Sequence, residues 1–510
     1  MDRRAFLQFI LITSIMSDLK KYGYANSCSK VMNLLPSQEK IIINGTLVNK
    51  YTENSVILNL WEKQSEEINQ LYRYVHHFFS EDSNRTYATL SEDMEFQHLL
   101  SVTDLDLFGG PMLGDVSDNS VSIWLRTLKP SVVFIKYWSE RGIKFESEHL
   151  NTTKASDLST TILLKDLEPN TKYMYEVYVN GHKLSLDDRI LHFRTPTKDL
   201  SKVKTRIVFG SCYHRWGLGN SKLTDLILSR EPSAFLLMGD VAVQDKLGNA
   251  ALHRDDYFLR DLIPAWRRLV SVLPIYYTWD DHDYMDNDLA GIPEGMSSID
   301  QENIWRVCRF AWNNPYYGFG ESGKGLFFHS TIGPVDIIMI DNRYFRKKGS
   351  FLGEGQMQWL EKQLLACRSS FIILSCGTMW SDFVSGGKDS WGEIDPEGRE
   401  RIFQLIEKHN IKGVLLISGD RHGARGFAIP RPSGFSFYEF GGASLGARSG
   451  PPAKKSEWTT QLYGISGEFA FSEFEFGELE NVPIVTFRLI HENGTFIYER
   501  AFTRDELSVK

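Results

Sequence analysis

From Lys202 onward the chain repeats one pattern: a short continuous apolar run, a break, then a mixed stretch of helical period. Continuous apolar runs predict strands buried on both faces, and their alternation with helices predicts an α/β unit. Each run ends on residues able to do chemistry. RIVF leads into Gly210-Ser211-Cys212, AFLLM into Gly239-Asp240, and LPIYYT into Trp279-Asp280-Asp281-His282. VDIIMI is followed by Asp341-Asn342-Arg343, FIILS by Cys376-Gly377-Thr378, and GVLLIS by Gly419-Asp420-Arg421-His422. Open α/β sheets present ligand-binding groups at the carboxyl ends of their strands, so these six ends are expected to converge on one rim.

Ahead of this region the period changes to two. VSIWLRT, SVVFIKYW, TTILLKDL, YMYEVYV and ILHFRT are short alternating segments, separated by turn residues such as Glu168-Pro169-Asn170. Residues 108–197, closed by Thr195-Pro196-Thr197, resemble a fibronectin-type β-sandwich. Residues 26–107 read as a polar lead-in, in which Trp61, Ile68, Leu71, Tyr74 and Val75 fall near helical spacing and predict a small helical cap. After Glu468 the alternation returns (FAFSEFEF, PIVTFRLI, GTFIYERAF), predicting antiparallel strands added to the second sheet of the α/β unit.

A chain of 510 residues exceeds one ordinary core and is expected to hold several structural units. Its formal charge of -8, with no stripe of Lys and Arg, excludes a general nucleic-acid binder. Five cysteines without paired spacing exclude a disulfide framework, leaving Cys308, Cys367 and Cys376 as core thiols with at most one bridge. At the N-terminus Arg3-Arg4 precede an apolar run, Phe6 to Met16, too short to span a membrane, with Gly23-Tyr24-Ala25 as a small-residue cleavage site. Residues 1–25 thus resemble a twin-arginine export signal, which places the mature chain in a periplasm, at a cell surface or outside the cell. A buried amphipathic first helix is the competing reading. Ala25-Asn26-Ser27-Cys28 is a loose lipoprotein box without its usual Leu, and no other stretch is long and apolar enough to cross a membrane.

Two hard cations holding a phosphate need acidic oxygens that bridge, with imidazoles or a thiolate filling the remaining positions. Asp240, Asp280, Asp281 and Asp420 supply such oxygens, and His282 and His422 supply nitrogens. A single Gly-Asp after a strand is more often a turn or a helix cap. Two such pairs, one with His422 two residues on, fit that reading poorly. The run Asp280 to Asp283 packs four titratable groups into one strand-end loop, where they repel unless metal ions or hydrogen bonds hold them.

Phe209-Gly210-Ser211-Cys212, Met238-Gly239-Asp240 with Asp245, Trp279-Asp280-Asp281-His282-Asp283, Asp341-Asn342-Arg343 and Ser418-Gly419-Asp420-Arg421-His422 resemble, in order and spacing, the alkaline phosphatase D (PhoD-like) metallophosphatases. The weaker Asp389-Ser390-Trp391 also matches, and the resemblance runs over roughly residues 108 to 505. It implies an α/β fold, a four-layer αββα metallophosphatase sandwich over residues 202–510, preceded by the β-sandwich. It also implies hydrolysis of a small-molecule phosphomonoester or a phosphodiester by a metal-bound hydroxide, with Fe3+ and Ca2+ as cofactors and no protein nucleophile. By the same resemblance Cys212 ligates the iron as thiolate and Asp240 bridges the two ions. Asp280 or Asp281 holds the calcium, and Asp420 with His422 completes the shell. His282 either ligates or protonates the leaving group, while Arg343 clamps a phosphoryl oxygen or pairs with Asp341. The chain is expected to act as a monomer. One position departs: relatives place a Tyr three residues after the bridging Asp, and this chain has Val243, which leaves Gln244 or a water for that vacancy and opens the identity of the first metal. A binding protein on a catalytically weakened phosphatase scaffold is the alternative.

Overall fold

The five-residue runs Ala234–Met238, Phe371–Ser375 and Val414–Ser418 are strands with every residue buried, as continuous apolar runs require. In the computed structural model, which describes residues 41–186, 190–199, 203–320, 323–382 and 389–509, they belong to two mixed sheets. The proposed signal, its cleavage site and Cys28 lie outside the described residues. The first sheet runs Ile275–Thr278, Ala234–Met238, Thr205–Gly210, Ala470–Leu479, Val482–His491, Phe496–Thr503. Its first three strands are parallel, and the remainder is an antiparallel meander. The second sheet has a parallel centre of Val335–Met339, Phe371–Ser375, Val414–Ser418 and Ser436–Gly441. Antiparallel Phe328–Ile332 flanks it on one side, and Arg425–Pro430 with Gln461–Gly464 on the other.

The C-terminal strands therefore extend the first sheet, not the second. Ala470–Leu479 pairs with Thr205–Gly210, whose far edge the parallel strands leave open, whereas Arg425–Pro430 already occupies the corresponding edge of the second sheet.

Alternation along each strand sorts its side chains into layers. Ile207, Phe209, Leu236 and Met238 of the first sheet share one core with Ile337, Met339, Ile373, Leu415 and Ile417 of the second. The opposite face of the second sheet, with Ile338, Ile340, Ile372 and Leu374, packs under Met357, Leu360 and Leu364 of helix Gly353–Ala366 and Ile402, Phe403 and Ile406 of helix Pro396–Lys408. Helices on the outer faces of two packed sheets make the four-layer αββα sandwich.

Ahead of these layers stand two further sheets, one of Leu107–Gly114, Val121–Thr127 and Ser159–Leu164, the other built on Val132–Ser139 and Lys172–Val179. Leu113, Ile123, Ile135, Tyr175 and Phe193 fill the space between them and merge into the same core as the α/β sheets. In the lead-in, helix Glu66–Glu81 is capped by Ser65, carries Glu66 and Glu67 in its first turn, and buries Leu71, Tyr72, Val75, Phe78 and Phe79. Residues 52–510 make one compact unit. Within residues 1–51, Ile41–Ile43 and Thr46–Val48 form a hairpin where the sequence pattern suggested helix. Asn44-Gly45, both at positive φ, is the turn that overrides the helical period there.

Candidate metal centre

The strand ends do converge. Cys212 N donates to Gly239 O (3.2 Å) and His214 N to Asp240 O (2.8 Å), which stitches the first two parallel strands together just past their ends. A Cβ on Gly239 would fall 2.4 Å from the Asp280 Cβ, and one on Gly377 would fall 2.7 Å from Asn342 Oδ1 and 2.8 Å from Asp280 Oδ1. Only glycine admits loops this close. Cys212, His214, Asp240, Asp245, Asp420 and His422 all sit at positive φ, a conformation that side-chain-bearing residues adopt at a cost of order 1–3 kcal/mol each. Such strain concentrated in one set of loops marks a site built for something other than stability.

Three overlapping groups of potential ligands result, each with ligand atoms within 4.8 Å of one another: Cys212, His214, Asp240 and His422; Asp240, Asp281 and His282; and Asp280, Asp281 and Asp420. Asp240 joins the first two and Asp281 the last two. Cys212 Sγ lies 3.6 Å from Asp240 Oδ2. Ring centroids of His214 and His422 are 5.4 Å apart, and those of His282 and His422 are 6.4 Å apart.

The donor set fits cations. Asp240 Oδ1, Asp280 Oδ2, Asn342 Oδ1, His214 Nε2 and His422 Nε2 are all buried without a hydrogen-bond partner. Each orphan costs about 1–3 kcal/mol, so five together rival the whole stability of an ordinary domain. Burial, with Asp281 and Asp280 nearby, pushes Asp240 well above the usual carboxylate range. Burial pushes Asp280 up to about 7 and Asp420 up to about 8, the latter against the pull of Arg421. Burial and the Asp240 charge raise the Cys212 thiol, while burial and Arg448 hold His214 and His422 well below the ordinary imidazole value. The protein alone thus disfavours anionic oxygens and sulfur here, and a multivalent cation supplies the missing charge.

The remaining members of the sequence motifs divide by role. Asp283 accepts from the backbone N–H groups of Val241 (3.1 Å) and Ala242 (3.4 Å), so it shapes the Asp240 loop and joins none of these groups. Asp341 accepts from Trp279 Nε1, Leu326 N and the backbone N–H groups of Arg343 and Tyr344, fixing its own turn. Arg343 is fully buried, with its guanidinium on Asp280 and Asp389 and not on the Asp341 carboxylate. Cys308 and Cys376 are buried, Cys367 half-buried, and all are free thiols. Gln244 reaches both neighbouring imidazoles, its Oε1 3.1 Å from His214 Nδ1 and its Nε2 2.9 Å from His282 Nδ1. Gly442-Ala443-Ser444-Leu445-Gly446 has the spacing of a serine-hydrolase elbow. Ser444 Oγ, however, donates to Cys212 O (3.5 Å), which is a structural contact.

Sequence reasoning passed over His214 and Asn342. The signal for His214 was the Cys-x-His spacing after a buried strand; for Asn342 it was a position inside a motif already singled out.

Residues 239–482 match the family model of the PhoD-like phosphatases. The chain carries a PhoD-like phosphatase domain. Residues 104–192 match a second model, described only as a domain of unknown function (DUF7800). Alkaline phosphatase D of Bacillus subtilis (strain 168) is 24% identical over 314 residues, 50% of this chain and 52% of that protein, so the chain spans about half the length of this curated relative. A solved PhoD structure superposes with a TM-score of 0.66 at 15% identity, over 80% of this chain and 93% of that one. The purple acid phosphatase PPD1 from yellow lupin (Lupinus luteus) seeds gives 0.58 at 13% identity, over 78% and 75%. At these identities the two structures establish that the PhoD-like domain has the metallophosphatase fold.

Proposed function

We propose that the chain is an exported, metal-dependent phosphoesterase that hydrolyses phosphomonoesters, phosphodiesters or both. The carrying observation is the convergence of buried, unpartnered ligand atoms from Asp240, Asp280, Asn342, His214 and His422 on the sheet rim. Cys212, Asp240 and His422 would hold one ion, and Asp280, Asp281 and Asp420 a second, with Asp240 and Asp281 linked through a third group that includes His282. When bound, such cations lower the pKa of a coordinated water and neutralise charge on the phosphoryl oxygens.

The protein's own groups do the rest. Asp281 accepts from the backbone N–H groups of His282 (2.9 Å) and Asp288 (2.7 Å), which fixes the loop carrying His282. His282 Nδ1 rests on the Asp245 carboxylate. Burial opposes its protonation, but Asp281, Asp240 and Asp245 outweigh that and raise it to about 10. In the metal-free chain these charges favour the protonated ring, and the reading assigns His282 the role of protonating the departing oxygen. Arg343 orients Asp280 and offsets its charge. Arg448, the foremost charge acting on His214 and His422, is the arginine this reading assigns to an anionic substrate.

Release of p-nitrophenol from p-nitrophenyl phosphate and its bis ester, with and without chelator, tests the reading. Turnover that a chelator abolishes and metal restores is the expected result. Chelator-insensitive turnover would overturn it, and metal binding without turnover would favour the binding-protein alternative.

A further inference from the structure

We propose that His214 is itself a ligand, completing a Cys212–His214–Asp240–His422 site that selects a divalent, zinc-like ion over a trivalent one. This deepens the phosphoesterase reading and rests on it for the presence of metal.

His214 has the properties of a ligand in waiting. It is 1% exposed, and its Nε2 has no hydrogen-bond partner. His214 belongs to a cluster, with Cys212, Asp240 and His422, in which each residue offers one ligand atom and these lie within 4.8 Å of one another. Its other ring nitrogen, Nδ1, lies 3.1 Å from Gln244 Oε1, so Nδ1–H donates to the amide oxygen and the lone pair is left on Nε2. An outer partner that fixes the tautomer in this way is the usual companion of a metal-binding imidazole. The ring plane is held by stacking on Trp216, with centroids 4.5 Å apart and planes at 20°. The backbone is held too: His214 sits at φ +49°, and its N–H donates to Asp240 O. A buried histidine serving only packing needs neither an unpartnered nitrogen nor a left-handed backbone.

The ligand types then choose the metal. One thiolate, one carboxylate and two neutral imidazoles carry two negative charges, which a dication balances. Sulfur and nitrogen donors in fourfold coordination suit zinc and its neighbours, whereas a hard trivalent ion favours additional anionic oxygens. Val243 is buried and offers no donor atom, so that position adds no further charge. The group at Asp280, Asp281 and Asp420 is all carboxylate and keeps its preference for a hard cation of the calcium or magnesium class.

X-ray absorption at the zinc edge of the zinc-loaded full chain reads the ligands directly and needs no variant. One sulfur and two imidazoles are expected; one imidazole would overturn the proposal. His214→Gln is expected to weaken zinc binding, in competition with a chromophoric chelator, by more than the roughly 10- to 100-fold typical of a lost outer partner, with calcium stoichiometry unchanged. Unchanged zinc affinity, or wild-type protein that prefers ferric iron, would also sink it. A single imidazole alongside intact metal-dependent turnover removes only this inference. No transition-metal binding at all removes the phosphoesterase reading with it.

Discussion

Arg343 places Nε 2.5 Å from Asp280 Oδ1 and Nη2 2.5 Å from Asp389 Oδ2, with all three side chains buried. Removing one partner of such a group leaves the others charged and unpaired, at a cost of about 3–5 kcal/mol. Arg343→Met should therefore lower the melting temperature sharply in the absence of metal. Because a cation beside Asp280 supplies charge that the arginine no longer does, added metal should recover more stability in the variant than in the wild type. Calorimetric scans with chelator and with calcium check both parts; equal metal-induced shifts would show that Asp280 stands outside the ion's reach.

Asp245 holds His282 Nδ1, which leaves Nε2 as the atom that would give up a proton. Donors of this kind matter most when the departing oxygen is strongly basic. His282→Gln is expected to cut kcat by about 100- to 10,000-fold on alkyl phosphates and far less on p-nitrophenyl phosphate, whose leaving group departs without help. A uniform loss across leaving groups would assign His282 to metal binding instead.

The chelated protein should show its own pH signature. Folding raises Asp280 to about 7, Asp420 to about 8 and His282 to about 10, so their contribution is fully present below their unfolded values and is lost as pH rises through the folded ones. His214 and His422 are depressed, and their contribution is lost instead as pH falls below about 6.5. The carboxylate share starts to fall above about pH 4 and the His282 share above about 6.5, so the metal-free chain is expected to melt several degrees lower at pH 9 than at pH 7. Bound cations stand in for the protons of Asp280 and Asp420, so the loaded protein should vary less over the same interval. Parallel melting curves in chelator and in metal decide the matter.

The contrast between what was legible in the sequence and what was not has a physical cause. Asp240, Asp420 and His422 could be read because each follows a continuous apolar run, and both the strand and its exit are local signals. His214, Gln244 and the Arg343–Asp280–Asp389 group could not, because their roles depend on which loop lies opposite. Arg343 pairs across 63 and 46 residues of chain. The sheet joined by Ala470–Leu479 was misjudged for the same reason, since alternation predicts a strand but not its neighbour. The hairpin at Asn44-Gly45 is a different case: the turn was written locally, and the helical period of the surrounding segment outweighed it.

The lead-in also meets the shell around the metal centre through Asn54. Asn54 donates from Nδ2 to Asp255 Oδ2 (3.1 Å) and Asp256 Oδ1 (2.8 Å), and its Oδ1 accepts from Arg215, the neighbour of His214. Asp256 Oδ2 in turn accepts from Gln244 N (3.0 Å), the residue whose amide stands between His214 and His282. Asn54→Ala removes donors from two buried carboxylates and should cost about 2–3 kcal/mol in chemical denaturation while weakening metal affinity. With metal at saturation kcat should remain near wild type, because no group that touches substrate is lost. Asn54→Asp keeps the shape but sets a third carboxylate against Asp255 and Asp256, so it should be the more destabilising change. If the alanine variant proves the worse of the two, Asn54 acts through packing and not through the charges it bridges.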